Sequence, residues 1–222
     1  FFNQVTGSFD LDTGRFGTSD NGDYAILRSL TKTFPTNGEL HTAVWAALEL
    51  KQQVPELKSI SSILIETSEF NKRVLADNAE KWKPQTRETA DHSLPYNVVR
   101  AMLDGDISLD SYSLEKITDP LAVALMEKVR VTEDAALSKL FPQHLANRVT
   151  VTLSTGEYYS SEVISGPGSV ESPMSREAFE AKFRKMAARH ISVEAQDQVL
   201  SFVSSLSAAV CYQPLFKAMA LD

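Results

Sequence analysis

Residues 148–165 carry the pattern that most limits the fold. In residues 148–154 the apolar side chains Val149, Val151 and Leu153 take alternate positions, the two-residue period of a half-buried strand. Ser154-Thr155-Gly156 then turns the chain into a second extended run, residues 157–165, so a β-hairpin is expected.

The remaining patterns are mostly helical. The turn Pro35-Thr36-Asn37-Gly38 feeds a helix that runs through about Val54, with Leu40, Ala43, Val44, Ala47, Leu48 and Leu50 spread around much of its circumference, as in a buried helix. Residues 58–67 read as a strand built on Ile60, Ile63, Leu64 and Ile65, with a short helix as the alternative. Residues 93–103 form a helix with Pro95 in its first turn and Gly105 just beyond its end. Residues 119–131 are expected to form another, starting near Pro120, and residues 133–140 a short fourth. Ser175 is placed as an N-cap, with Glu177 near the positive helix end and a stripe of Phe179, Phe183 and Met186. A final strong helix covers about residues 193–206.

Helices alternating with strands, one clear hairpin and no repeated βαβ unit specify the α+β class. The expected organisation is a connecting segment over residues 1–23, an α+β domain over 24–168 with a small sheet and packed helices, and C-terminal helices over 169–222. Residues 166–173, containing glycine and proline, are the best internal boundary. The first residue is Phe, and residues 1–10 lack the basic and long apolar regions of a secretory signal, so the chain is expected to begin inside a longer protein.

Composition narrows the functional classes. Among 222 residues, 43% are hydrophobic and 23% charged, a balance suited to a folded core, and no apolar run reaches membrane-spanning length. The net charge of −7 leaves no surplus of Lys and Arg to displace phosphate counterions, which argues against a nucleic-acid partner. Cys211 is the single cysteine, excluding a disulfide within the chain and any all-cysteine zinc or iron–sulfur site. His144 and His190 have no metal-ligand spacing with the other histidines, and no metal is expected.

Two polar clusters have the right groups for carboxylate chemistry. Lys32-Thr33-Phe34-Pro35-Thr36-Asn37-Gly38-Glu39-Leu40-His41 places a lysine and a polar turn before a helix, where free N–H groups and the dipole favour an anion. The competing reading makes Lys32 a loop charge and His41 a packed helix histidine. Residues 81–96, KWKPQTRETADHSLPY, add Arg87 as a two-pronged carboxylate binder and His92 or Tyr96 as a proton-transfer or orienting group. The competing reading is a capped loop of mutually neutralised ions. Asp91-His92-Ser93 does not make a hydrolytic triad, because consecutive side chains rarely converge, and Ser93 is better placed as an N-cap. Gly166-Pro167-Gly168-Ser169 lacks a phosphate-loop pattern and reads as a linker.

The run TRETADHSLPY at residues 86–96, followed by NVVRAMLDGDISLDSY, resembles the MmgE/PrpD family. Similar segments occur in the expected order at residues 1–16, at KTFPTNGELHTAVWAALEL (32–50) and at PMSREAFEAKFRKMA (173–187). The resemblance implies a chain that contains the family's α+β lid and the returning C-terminal helices but lacks most of the helical domain. It also implies a lyase acting on small di- or tricarboxylates, with dehydration of 2-methylcitrate first, needing no iron–sulfur cluster or other cofactor. A cis-aconitate decarboxylase, a dicarboxylate epimerase or a noncatalytic binding or assembly protein are the alternatives. Carried onto this sequence, the resemblance assigns Lys32, Arg87 and Ser93 to substrate binding and His41, His92 and Tyr96 to catalysis. It further implies a homodimer, a cytoplasmic or, in a eukaryote, mitochondrial location, and an isolated chain that is inactive without its helical partner.

Overall fold

Val149, Val151 and Leu153 are all buried, on the inner face of the third strand of a four-stranded sheet. The computed structural model describes Gly7 and residues 24–220. The readings for residues 1–23, both as a connecting segment and as a family match over 1–16, fall outside the described residues except at Gly7.

The strands are β1 (Ile60–Thr67), β2 (Val129–Glu133), β3 (Asn147–Leu153) and β4 (Tyr158–Val163), in the order β2-β1-β3-β4. β1 pairs antiparallel with β3 and β3 with β4, which is the expected hairpin, while β1 and β2 run parallel. Among the described residues the α-helices are α1 (His41–Gln53), α2 (Glu69–Leu75), α3 (Arg87–Asp91), α4 (Leu94–Asp104), α5 (Leu114–Ile117), α6 (Pro120–Met126), α7 (Ala135–Leu140), α8 (Arg176–Ala187), α9 (Val193–Ser204) and α10 (Gln213–Ala218). The protein is an α+β fold.

One helix reading is corrected. Residues 119–131 do not form a single helix: α6 ends at Met126 and the chain re-enters the sheet as β2. Val129 and Val131 pair with Ile63 and Ile65 of β1, so backbone bonding to a distant strand overrides the local helical spacing. The β-branched Val129, Val131 and Thr132 also suit a strand at this edge.

α1 supplies the centre of the core. Ala43, Val44, Ala46, Ala47 and Leu50 are buried, and the helix packs against α4 on one side and against β3 and β4 on another. Its modest side-chain size allows this double contact. α4 is buried along nearly its whole length, with Pro95 in the first turn and Gly105 closing the end at a left-handed φ of 76°. Only glycine takes that conformation without a Cβ penalty, which is why the helix stops there.

The chain separates into two compact units, Phe1–Ser172 and Pro173–Asp222. In the second unit Ser175 caps α8 through the Ala178 N–H, as its sequence position implies. No α8 residue is buried, and Phe179 and Met186 of the apolar stripe are exposed. No helix among the described residues is long and apolar enough to cross a membrane.

Candidate active site

The Lys32–His41 turn is held by bonds at both ends. Thr33 N–H donates to His41 Nδ1 at 3.4 Å, and Asn37 Oδ1 accepts from Glu39 N–H at 2.9 Å. Because Nδ1 accepts a hydrogen bond from the backbone, the neutral His41 ring carries its hydrogen on Nε2. His41 is buried at the first turn of α1, its ring 5.5 Å from that of Phe34, which in turn meets Trp45 at 5.0 Å. Lys32 is exposed, and its stem runs past Gly38.

Asp91 joins this turn to the second cluster. Its backbone carbonyl accepts from the Thr36 hydroxyl at 2.6 Å and from Asn37 N–H at 3.2 Å. The corner between α3 and α4 therefore sits directly on the polar turn, and residues distant in sequence share one edge of the domain. Arg87 opens α3 behind the Thr86 N-cap and is exposed, as is His92 at its end. His92 Nδ1 lies 2.5 Å from Asp91 Oδ1 and 3.1 Å from the Glu88 carbonyl. A ring nitrogen facing two acceptors must be the N–H, so His92 presents the other nitrogen for chemistry.

Ser93 and Tyr96 face inward from the same corner. Ser93 Oγ accepts from Tyr96 N–H at 3.1 Å and donates to the Lys81 carbonyl, so both its bonding functions are structural. Ser93→Ala should cost about 1–2 kcal/mol, from a lost cap and an unserved carbonyl, measured by urea unfolding. An unchanged midpoint would show that the cap does not matter. Tyr96 is 1% exposed and donates to the Ser111 carbonyl at 2.6 Å. Burial pushes its hydroxyl up to about 12, against the opposing charge of Arg100. Tyr112 is also raised by burial, and its hydroxyl donates to Asn97 Oδ1 at 2.8 Å. These contacts make a tyrosine-rich floor beneath the α3–α4 corner.

Two histidines set aside in the sequence reading lie elsewhere. His144 borders, together with His41, a cleft of about 240 Å³ beside the start of α1. No metal-ligand spacing pointed to it, and its position depends on the 142–145 segment folding back onto α1. His190 borders a separate depression within the second unit. No group of three or more His, Cys, Asp or Glu suited to a metal ion occurs among the described residues.

The family model of the MmgE/PrpD C-terminal domain matches residues 34–208, well over half of the chain. The chain belongs to the MmgE/PrpD family. Relatives include a mitochondrial 2-methylcitrate dehydratase of Yarrowia lipolytica, 28% identical over 144 residues that cover 61% of this chain and 27% of that protein. A 2-methylcitrate dehydratase of Cupriavidus necator is 27% identical over 155 residues, covering 66% of this chain and 31% of its own length. The cis-aconitate decarboxylase of Mus musculus is 24% identical over 123 residues, 55% of this chain and 25% of that enzyme. The chain spans under a third of the length of these curated relatives.

Proposed function

We propose that this chain is part of a lyase that dehydrates 2-methylcitrate to 2-methylaconitate without an iron–sulfur cluster. The observation that carries this reading is the bonding of Thr36 and Asn37 to the Asp91 carbonyl, which sets the Lys32 turn against the Arg87–Ser93 corner. A tricarboxylate needs several cationic or N–H donors, and the two segments joined at the Asp91 carbonyl carry Lys32 and Arg87 as well as two histidines. The names of the relatives from Yarrowia lipolytica and Cupriavidus necator support the choice of substrate.

Elimination of water removes a proton beside a carboxylate and expels a hydroxyl as water. Lys32 and Arg87 hold carboxylates and stabilise the charge that develops as the proton leaves. His92, with Nδ1 fixed by Asp91, offers Nε2 as a base, while His41 holds its hydrogen on Nε2 for orientation or donation. Ser93 and Tyr96 act through the corner they stabilise, because their hydroxyls already bond to backbone carbonyls.

In this reading residues 24–168 are the lid and the helices of 169–222 return to a helical domain outside the chain. The active enzyme is a homodimer in the cytoplasm or mitochondrion, and the isolated chain does not turn over substrate.

The test is turnover of 2-methylcitrate by the full-length protein, followed by ultraviolet absorbance of the unsaturated product, with citrate and cis-aconitate compared and a chelator added in parallel. Chelator-insensitive preference for 2-methylcitrate is expected. Lys32→Met should lower kcat/KM about 30-fold, the worth of one charge-assisted bond of ~2 kcal/mol. Preferred carbon dioxide release from cis-aconitate would move the assignment to the decarboxylase, and no turnover of any of the three would remove the lyase reading. Activity of the isolated chain would overturn the need for a helical partner.

A further inference from the structure

Asn97 is fully buried on the first turn of α4, and its side chain is bonded at both ends. Nδ2 donates to the Ala90 carbonyl at 2.9 Å and to the Ser93 carbonyl at 2.8 Å. Carbonyl oxygens only accept, so the amide cannot be turned over, and Oδ1 is the atom left to face Tyr112. The Tyr112 hydroxyl, itself buried, donates to it at 2.8 Å.

The two carbonyls that Asn97 holds flank Asp91 and His92. The Asp91 carbonyl between them accepts from Thr36 and Asn37. With the carbonyls of residues 90, 91 and 93 all bonded, the backbone that carries the His92 ring has little freedom. The ring's own bonds cannot replace this hold. The His92 side chain is 47% exposed, so water competes for its contacts with Asp91 Oδ1 and the Glu88 carbonyl. Both of those acceptors stand on α3, and the ring meets them only while residue 92 leaves the helix in this direction.

We propose that Asn97, oriented by Tyr112, is the positioning residue for His92: it fixes the hydrogen on Nδ1 and the direction of Nε2 without touching substrate. The inference rests on the lyase reading, in which His92 Nε2 is the base, and deepens it. Removing the amide leaves neither carbonyl without a donor, because Ser93 N–H also bonds to the Ala90 carbonyl and Asn97 N–H to the Ser93 carbonyl, both at 3.1 Å. Asn97→Ala combined with Tyr112→Phe leaves no unserved hydroxyl either.

The experiment reads tautomers and turnover on the same variants. In the ¹⁵N-histidine-labelled chain, long-range ¹H–¹⁵N spectra should show the His92 hydrogen on Nδ1. In Asn97→Ala and in the double variant it should move toward Nε2, the form an unrestrained imidazole prefers, while His41 keeps its hydrogen on Nε2 and so reports an intact fold. In the full-length protein kcat for 2-methylcitrate should fall about 100-fold in Asn97→Ala, the cost of a reacting group misplaced by about an ångström, and about fivefold in Tyr112→Phe. KM should stay within about twofold, since carboxylate binding falls to Lys32 and Arg87. An unchanged His92 tautomer in Asn97→Ala, or turnover with an unchanged kcat, would overturn the inference and leave the lyase reading standing. No turnover in the unaltered full-length protein overturns the lyase reading and, with it, the catalytic role of Asn97. If Asn97→Ala loses the His41 signal through misfolding, Tyr112→Phe, which keeps the ring and both amide donors, decides by the same tautomer and kcat readouts.

Discussion

Replacing Arg100 by alanine is expected to lower the stability of the first unit by about 3–4 kcal/mol, read from urea unfolding. Arg100 is 2% exposed in the middle of α4 and is among the largest fully buried side chains. Its guanidinium donates to Asp104 at 3.0 Å, to Asp119 at 3.1 Å and to the Lys116 carbonyl at 3.2 Å, tying α4 to α5 and to the N-cap of α6. The two carboxylates are themselves 22% and 30% exposed, and Asp104 also receives Lys116 at 2.9 Å. Losing the arginine thus leaves both acids partly hydrated, and much of the damage comes from the void left by the long stem.

That division yields a sharper expectation. Arg100→Met fills the void and removes a guanidinium whose Nε finds no partner among the described residues, so it should recover more than half of the loss. Equal destabilisation by Met and Ala would show instead that the ion pairs dominate. Acid sensitivity gives an independent check. Burial alone would raise the Asp119 carboxyl, but the Leu121 N–H and the Arg100 guanidinium outweigh it and hold the group below its ordinary range. A depressed folded-state pKa adds stability above the unfolded value near ~4, lost as pH falls through the lower folded value. Arg100→Met should flatten that acid limb.

The local signals in the sequence were sufficient where a single element decides its own shape. The α4 boundaries follow from Pro95 and Gly105, and the hairpin from alternating valines and Gly156. β2 was hidden because its identity depends on β1, sixty-odd residues earlier, and not on its neighbours. The candidate site divides in the same way. Lys32, His41, Arg87 and His92 stand out as polar groups at helix ends, yet the Asp91 carbonyl that brings their segments together is a backbone atom with no side-chain signature. Tyr96 and Ser93 were legible as members of a motif, while their inward bonds to Ser111 and Lys81 depend on packing across α4. His144 was passed over since its partner Ser165 stands 21 residues further along, and their meeting depends on how the chain folds back.

Within that segment Gly168 is the position where one added carbon should do the most harm. Its φ is +99°, a region costly for any residue with a side chain, and a Cβ there would overlap the Thr31 carbonyl oxygen and crowd Thr33 Oγ1 at 3.2 Å. Both obstacles belong to the strand of chain that leads into the lysine turn, and the backbone oxygen cannot rotate away. Gly168 is also bonded on both sides, accepting from Thr31 N–H and donating to the Ser172 carbonyl at 2.7 Å. Gly156 provides the control, since its φ of +88° carries similar conformational strain but its added Cβ meets nothing within 4 Å. Gly156→Ala should therefore cost only ~1 kcal/mol, the conformational share, whereas Gly168→Ala adds the clash and should cost about 3–4 kcal/mol or release the loop outright. Release would be visible as faster hydrogen exchange at Thr31 without a comparable change in β3. It would also part the wall formed by Ser165, Gly166 and Glu171 from the His41 side of the cleft in Gly168→Ala and not in Gly156→Ala. Equal stability and equal exchange at Thr31 in the two variants would mean that the 164–171 loop does not press on the lysine turn.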